Sequence, residues 1–262
     1  MARNATTPTV SVENFSLALG GKDIVHDLNF KVQPGEVFAF LGANGSGKTS
    51  TIRSLIGLYE ATKGELLVNG RKYTAKDART VGYLPEERGL YTRVSAIDNL
   101  TYFGEMKGMK RAEARRIGLE FLNEVGLGDK ATLKLKSLSG GQQQKVQLGV
   151  AVMGHPDLLI LDEPTKGLDP VNRKLLLDIV DHHKQKGTAV IYITHLMEEV
   201  ERLADRLLII KDGRAKAYGT VNEVKKEFGA QTIEEVFVGI YNDTPTKTEL
   251  AKKAPAKKKG DA

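Results

Sequence analysis

The segment GANGSGKTS at residues 42–50 fits the pattern G-x-x-x-x-G-K-[ST], and it stands between an apolar run, EVFAFL at 36–41, and a helical pattern. The chemistry it serves is the grip on a triphosphate. Successive backbone N–H groups take up phosphate oxygens, so Gly42, Gly45 and Gly47 keep side chains out of the way, with Asn44 and Ser46 in the same cradle. Lys48 reaches the β- and γ-phosphates, the Thr49 hydroxyl coordinates Mg²⁺, and Ser50 is placed for a further phosphate contact. An accidental Gly-rich turn is the alternative, and the flanking strand and helix argue against it.

A second carboxyl-bearing motif matches the first. In LLILDEP, four apolar residues bury a strand and bring Asp162 out at its carboxyl end, the edge where open α/β sheets bind ligands, there to hold the Mg²⁺ water shell. Glu163 follows, placed to orient an attacking water as general base. Capping of the next helix is the competing role for both, and Pro164 fits that too. His195 ends another apolar run, TAVIYIT at 188–194, and so belongs to the same edge, where a neutral imidazole can donate to a γ-phosphate. His26, His155, His182 and His183 lack such a setting. The stretch SLSGGQQQKV at 137–146 looks like a second phosphate-binding helix start, with Ser139 as cap and Gly140 and Gly141 leaving N–H groups bare.

These residues need a scaffold of two kinds. TVSVENFSLAL and KDIVHDLNFKV are β-rich runs with partial alternation, followed by the turn signal QPGE, and they read as an antiparallel β-layer. The continuous apolar runs separated by helical patterns imply a parallel sheet covered on both faces. From about 86 to 153 strands nearly vanish and the periodicity turns helical, as in RAEARRIGLEFLNEVGL. The expected fold is therefore α/β, a P-loop NTPase core with a parallel sheet, an N-terminal antiparallel β-layer and an inserted helical lobe. One domain is expected over 8–240, with C-terminal helices at about 220–240 as packing elements. Residues 241–262, rich in Lys, Ala and Pro, are expected to be a disordered tail.

A composition of 40% hydrophobic and 27% charged residues belongs to a globular chain and excludes fibrous or wholly disordered classes. With no cysteine, disulfides and thiolate metal sites are excluded. No stretch approaches the length of a membrane span and the N-terminus lacks a signal-peptide core, so the chain is expected to stay in the cytosol. Its formal charge of +6 is concentrated at the end: the residues from Lys247 onward supply +4 of it, leaving a nearly neutral body. That tail is expected either to be merely solvated or to make weak contact with anionic lipid, each Lys near such a surface contributing about 1 kcal/mol.

Taken in order, GANGSGKT, LSGGQ at 138–142, LLILDE, GLD at 167–169 and ITH ending at His195 resemble the ATPase subunit of an ATP-binding-cassette (ABC) transporter over about residues 8–220. The resemblance implies ATP hydrolysis with Mg²⁺ in a head-to-tail dimer. Each ATP then lies between the phosphate loop of one subunit and Ser139, Gly141 and Gln142 of the other, and Asp169 of GLD also counts among the ATP contacts. Lys48, Glu163 and His195 are the catalytic residues it implies. GYLPEERGLY, QQQKVQ and GLDPVNR look most like exporters of the sodium-efflux and drug-resistance branch. There the membrane permease subunits are separate chains, which implies a peripheral position on the cytoplasmic face of the cell membrane. Two departures from the wider family stand out: Glu86 occupies the place of a Gln that touches Mg²⁺, and Leu19 that of an aromatic that stacks on adenine. Because this chain carries every motif, a homodimer with two complete sites is expected.

Two other classes compete. A chromosome-maintenance ATPase would bind DNA but needs a long coiled coil between the phosphate loop and LSGGQ, and the 88 residues from Thr49 to Leu138 leave no room for it; no specific nucleic acid is expected as partner. A soluble non-transport ATPase, an assembly or ribosome-associated factor, is the second alternative.

Overall fold

Val10–Leu19 (β1) and Lys22–Val32 (β2) form an antiparallel hairpin in which Val10 lies opposite Val32 and Val12 opposite Phe30. In the computed structural model, which describes residues 7–87 and 89–242, the inward side chains Val12, Phe15, Leu28 and Phe30 cover one face of a larger sheet. The contact is aromatic at its centre, where the Phe30 ring stacks on Phe38 at 5.2 Å. Phe38 belongs to Val37–Leu41 (β3), a strand buried along its whole length, after which the phosphate loop leads into Lys48–Leu55 (α1). Lys63–Val68 (β4) then returns to pair antiparallel with β1 and completes a three-stranded layer in the order β2-β1-β4.

The larger sheet adds Val81–Leu84 (β5), Leu158–Asp162 (β6), Ala189–Ile193 (β7), Arg206–Lys211 (β8) and Arg214–Thr220 (β9), in the order β5-β6-β7-β3-β8-β9. All neighbours run parallel except β9, which pairs antiparallel with β8. Sequence patterning had pointed to β3, β6 and β7. It had not singled out β8 and β9, which are joined at Asp212–Gly213 with both residues at positive φ. β9 is the antiparallel edge that a mostly parallel sheet commonly carries, and only Ala217 on it is buried.

Between β5 and β6 the described residues hold no strand longer than a bridge. Ala96–Met106 (α2), Arg111–Glu124 (α3) and Gly140–Val152 (α4) fill this interval. Ser95 caps α2 by accepting the Asp98 N–H at 3.1 Å. The lobe does not have a core of its own. Leu100, Leu122 and Val146 join Leu159, Leu161 and Val190 of the sheet in one buried cluster. What brings α4 onto the sheet is Gly82 of β5: a Cβ there would lie 2.2 Å from the Ala151 carbonyl oxygen.

Pro170–Gln185 (α5) and Met197–Leu203 (α6) complete the crossovers around β7. Val221–Phe228 (α7) and Ile233–Tyr241 (α8) close the described chain. Val224, Ile233, Val236 and Ile240 pack with Ala39, Leu207 and Ile209 in a third cluster on the sheet. α8 runs one residue into the segment expected as tail; from residue 243 that segment lies outside the described residues, as does Arg88. No helix among the described residues is long and apolar enough to cross a membrane.

Because α4 and β5 meet backbone to backbone, Gly82→Ala is expected to cost about 1–3 kcal/mol, the usual penalty of overpacking. A urea titration of wild type and variant checks this, and an unchanged midpoint would mean that α4 can withdraw from β5 freely.

Candidate nucleotide site

Five of the six strands in the large sheet point their carboxyl ends one way, and a cavity of about 500 Å³ opens at that edge. Its floor is the turn from β3 into α1. Gly47 sits there at φ 107°, with the Val25 methyl only 3.0 Å from where a Cβ would lie, so any side chain would be both strained and crowded. Asn44, Gly45, Gly47, Lys48, Thr49 and Ser50 all line the cavity. Gly42 and Ser46 lie beneath it instead. A Cβ on Gly42 would meet Ser46 Oγ at 2.5 Å and the Ile210 carbonyl oxygen at 2.6 Å, and the Ser46 carbonyl accepts the Gly213 N–H at 3.1 Å. The glycine thus lets the loop lie on the β8–β9 hairpin, while Asn44, Gly45 and Gly47 line the cavity.

Lys48 folds back over the loop, donating to the carbonyls of Gly42 at 2.6 Å and Ala43 at 3.0 Å. Burial pulls its pKa down, opposed by the negative charge of Asp162, Glu163 and Glu86. An ammonium held by two neutral acceptors and facing three carboxylates is a ready partner for phosphate oxygens.

Asp162 emerges from β6, paired in register with Ile193 of β7, and is 3% exposed. Burial first, then Glu86 and Glu163, push its carboxyl up from the ordinary 3.8 to about 6. Glu163 follows at φ 50°, its N–H bonded to the Ile193 carbonyl at 2.9 Å, so the turn aims its side chain back over the sheet edge. His195 Nδ1 lies 2.8 Å from Glu163 Oε2, but off the hydrogen-bond direction, so this buried oxygen has no aligned donor. A carboxylate with an open acceptor in a phosphate cavity is placed for a water molecule.

The donor set suits Mg²⁺: a hydroxyl on Thr49, a buried carboxylate on Asp162 and a further carboxylate on Glu86 are hard oxygen ligands. Among the described residues no three acidic or imidazole groups converge closely enough to form a metal cage on their own. This fits an ion that shares its coordination with a triphosphate and waters. Glu86 does not stand alone, for Lys166 Nζ donates to its Oε1 at 2.7 Å and lines the same cavity.

Three residues that sequence reasoning missed hold the site. Lys166 is one. The others are on α4, where Gln147 donates to the carbonyls of Pro85 at 3.0 Å and Glu87 at 3.3 Å, one on each side of Glu86, and Gln144 donates to the Pro164 carbonyl at 3.0 Å, next to Glu163. The available signal was their spacing of three, which puts two amides on one helix face, here buried to 5% and 3% exposure. Leu19 does not line the cavity and packs against the core, whereas Ile24 does line it.

Ser139, Gly141, Gln142 and Asp169 are not part of this cavity. Ser139 Oγ accepts the Gln142 N–H at 3.3 Å while Gln142 Oε1 accepts the Ser139 N–H at 3.0 Å, a reciprocal cap on α4. Gly141 packs beside Leu168, and Asp169 caps α5 by accepting the Asn172 N–H at 2.9 Å.

A family model described as "ABC transporter" matches residues 25–166, from the rim of the cavity through the phosphate loop, α4 and Asp162 to Lys166. The chain belongs to the ABC transporter family, as an ATP-binding subunit. Among its relatives, an ABC transporter ATP-binding protein of Methanocaldococcus jannaschii is 43% identical over 83% of this chain and 79% of that protein. The linearmycin resistance ATP-binding protein LnrL of Bacillus subtilis is 39% identical over 89% of this chain and 76% of its own length. The lantibiotic transport ATP-binding protein SrtF of Streptococcus pyogenes is 33% identical over 87% and 95%. A solved ATP-binding subunit of an ABC transporter superposes with a TM-score of 0.83 at 31% identity, covering 89% of this chain and 99% of that one. The expected α/β fold and ATPase class are borne out, and the family's general activity is ATP hydrolysis coupled to transport.

For this ABC subunit the state of Asp162 fixes a pH dependence. A carboxyl whose folded pKa lies above its unfolded value favours the fold only while protonated, so stability is lost as pH rises from 3.8 to about 6 and stays lost above it. With EDTA present, Asp162→Asn is expected to stabilise the nucleotide-free chain by up to about 3 kcal/mol at pH 7.5 and by clearly less at pH 5. Urea titrations at the two pH values measure it; an equal gain at both would remove the charge as its cause.

Proposed function

We propose that this subunit powers an exporter by hydrolysing ATP between two copies of itself, with Mg²⁺ held by Thr49, Asp162 and Glu86. The observation that carries the reading is the division of the site. The phosphate loop, Asp162, Glu163 and His195 meet in one cavity, while Ser139 and Gly141 present a capped helix start outside it. A helix N-terminus is a natural anion site, and a second chain in head-to-tail arrangement supplies the anion.

In the proposed reaction the triphosphate lies along the N–H groups from Gly45 to Thr49, and Lys48 leaves the loop carbonyls for the β- and γ-phosphates. Glu163 takes a proton from water as the water oxygen bonds to the γ-phosphorus and the bond to the β,γ-bridging oxygen breaks. His195, beside Glu163, donates to the γ-phosphate. Bound Mg²⁺ supplies charge neutralisation for the phosphates. Ser50 and Asn44 contact further phosphate oxygens, and the partner's Ser139, Gly141, Gln142 and Asp169 close the site.

Export follows the relatives, whose names speak of linearmycin resistance, lantibiotic transport and Nod factor export. The permease is proposed to be a separate membrane chain that docks where the segment after Glu86 meets α2, which would make this subunit peripheral on the cytoplasmic face of the membrane. Tyr91, Tyr102 and Met106 are exposed there at 52%, 43% and 62%, and the two tyrosine rings pack edge to face at 5.5 Å. Tyr91 and Tyr102 line a groove of about 410 Å³ together with Asn99, which donates to the Tyr91 and Ser95 carbonyls. This wall is continuous with the Glu86 loop, so ligand-driven movement of that loop reaches it. Lipid contact of the basic tail falls outside the described residues.

Glu163→Gln is expected to keep ATP binding, to lose about 10² to 10⁴ in hydrolysis, and to dimerise with Mg-ATP but not with ADP. Replacing Ser139 by Glu should abolish that dimer while the single chain still binds ATP; light scattering and labelled-ATP titration read the two effects. Nucleotide-independent monomers would refute the shared site. In a chain without cysteines, Tyr91→Cys and Tyr102→Cys are expected to cross-link to an integral membrane protein in intact membranes; capture of soluble proteins alone would favour an assembly or ribosome-associated ATPase.

A further inference from the structure

The first turn of the phosphate loop is tied to the far end of the described chain. α8 turns Ile233, Val236 and Ile240 into the core, and the next residue, Tyr241, is carried to the sheet edge. Its ring stacks on Phe237 at 4.6 Å, and Lys211 Nζ stands 5.6 Å over it while donating to the Ile240 carbonyl at 3.1 Å. So held, the Tyr241 hydroxyl accepts the Ala43 N–H at 2.7 Å and donates to the Ile210 carbonyl at 3.0 Å. One hydroxyl uses its donor and an acceptor site to join the loop to β8.

The peptide group so fixed joins Gly42 to Ala43, and its Gly42 carbonyl accepts Lys48 Nζ at 2.6 Å. The Ala43 carbonyl accepts both Lys48 Nζ at 3.0 Å and the Ser46 N–H at 3.1 Å, so rotation of this residue's backbone would displace the lysine and the loop together. The hydroxyl does not line the phosphate cavity and touches no reacting atom. We propose that Tyr241 is a positioning residue for nucleotide binding: through Ala43 it presets the phosphate loop, so that the C-terminal helix α8 sets the subunit's affinity for Mg-ATP. The inference rests on the reading of the cavity as the ATP site. Its physical basis is pre-organisation, because a loop already in its binding geometry loses less freedom when the ligand arrives. A contact that acts before the ligand binds and does not change in the transition state alters affinity and leaves turnover at saturation alone.

The test is Tyr241→Phe in the full chain, which keeps the ring, its stacking and its burial and removes only the two hydrogen bonds. Titration with labelled Mg-ATP is expected to show about three- to tenfold weaker binding, the range of one hydrogen bond. KM should rise in parallel, with kcat within about twofold of wild type and the thermal midpoint lower by no more than about a few degrees, the loss of two hydrogen bonds. Unaltered affinity overturns the proposal. So does a joint fall of affinity, kcat and thermal midpoint, which would make Tyr241 a brace for the fold alone. Lys48→Ala, run beside it, separates the two readings: if that variant still binds ATP normally, the cavity is not the ATP site; if it does not bind and Tyr241→Phe binds as wild type, only the role of Tyr241 fails.

Discussion

A loop that binds phosphate must keep backbone N–H groups unpaired until the ligand comes, and in a folded protein that is a standing cost. The chain meets it by anchoring the loop everywhere except at the cradle. Gly42 lies against Ile210, the Ser46 carbonyl takes the Gly213 N–H, Ala43 is tied through Tyr241 to β8, and Lys48 occupies the two carbonyls at the loop's start. All of these anchors but the lysine come from the C-terminal half of the chain, so the antiparallel edge β8–β9 and helix α8 serve the site although they carry none of its chemistry.

The second constraint is charge. Asp162, Glu163 and Glu86 gather at a place meant for a polyanion, and burial first, then the charge of Glu86 and Glu163, raises the pKa of Asp162 to about 6. Lys48 and Lys166 offset it before ligand arrives, and a divalent cation would offset it afterwards. The Glu86–Lys166 pair balances the third carboxylate of the cavity with a cation at 2.7 Å. Being half-exposed on both sides, at 49% and 61%, the pair contributes little to stability. Its value lies in the local field, where a second cation keeps the added carboxylate from repelling phosphate.

Helix α4 links these parts mechanically. Its N-terminus presents the capped start at Ser139 outside the cavity, while Gln144 and Gln147 hold the backbone beside Glu163 and Glu86. Buried amides paired with backbone carbonyls hold geometry firmly, since leaving either unpaired costs about 1–3 kcal/mol. The Gln147 Oε1 atom is buried without a partner, so the brace is not at its electrostatic optimum. The shared core of the lobe and the sheet, with Gly82 under Ala151, makes the same connection through packing.

The sequence by itself determined the chemistry and the fold class. Phosphate binding needs glycines, a lysine and a hydroxyl at fixed spacing along one loop, and burial between two helix layers needs unbroken apolar runs such as LLILD; both are local patterns. It also placed Asp162, Glu163 and His195 at strand ends, which in a parallel sheet all lie at one edge. Only the tertiary structure decided which distant residues support them. Lys166 meets Glu86 across 80 positions, Gln147 meets Pro85 across 62, and Tyr241 meets Ala43 across 198. It also put Ile24 on the lining of the cavity and packed Leu19 against the core. Such contacts depend on register, strand order and the depth at which helices sit, and they leave no periodic trace because a single hydrogen bond constrains one residue type at one place.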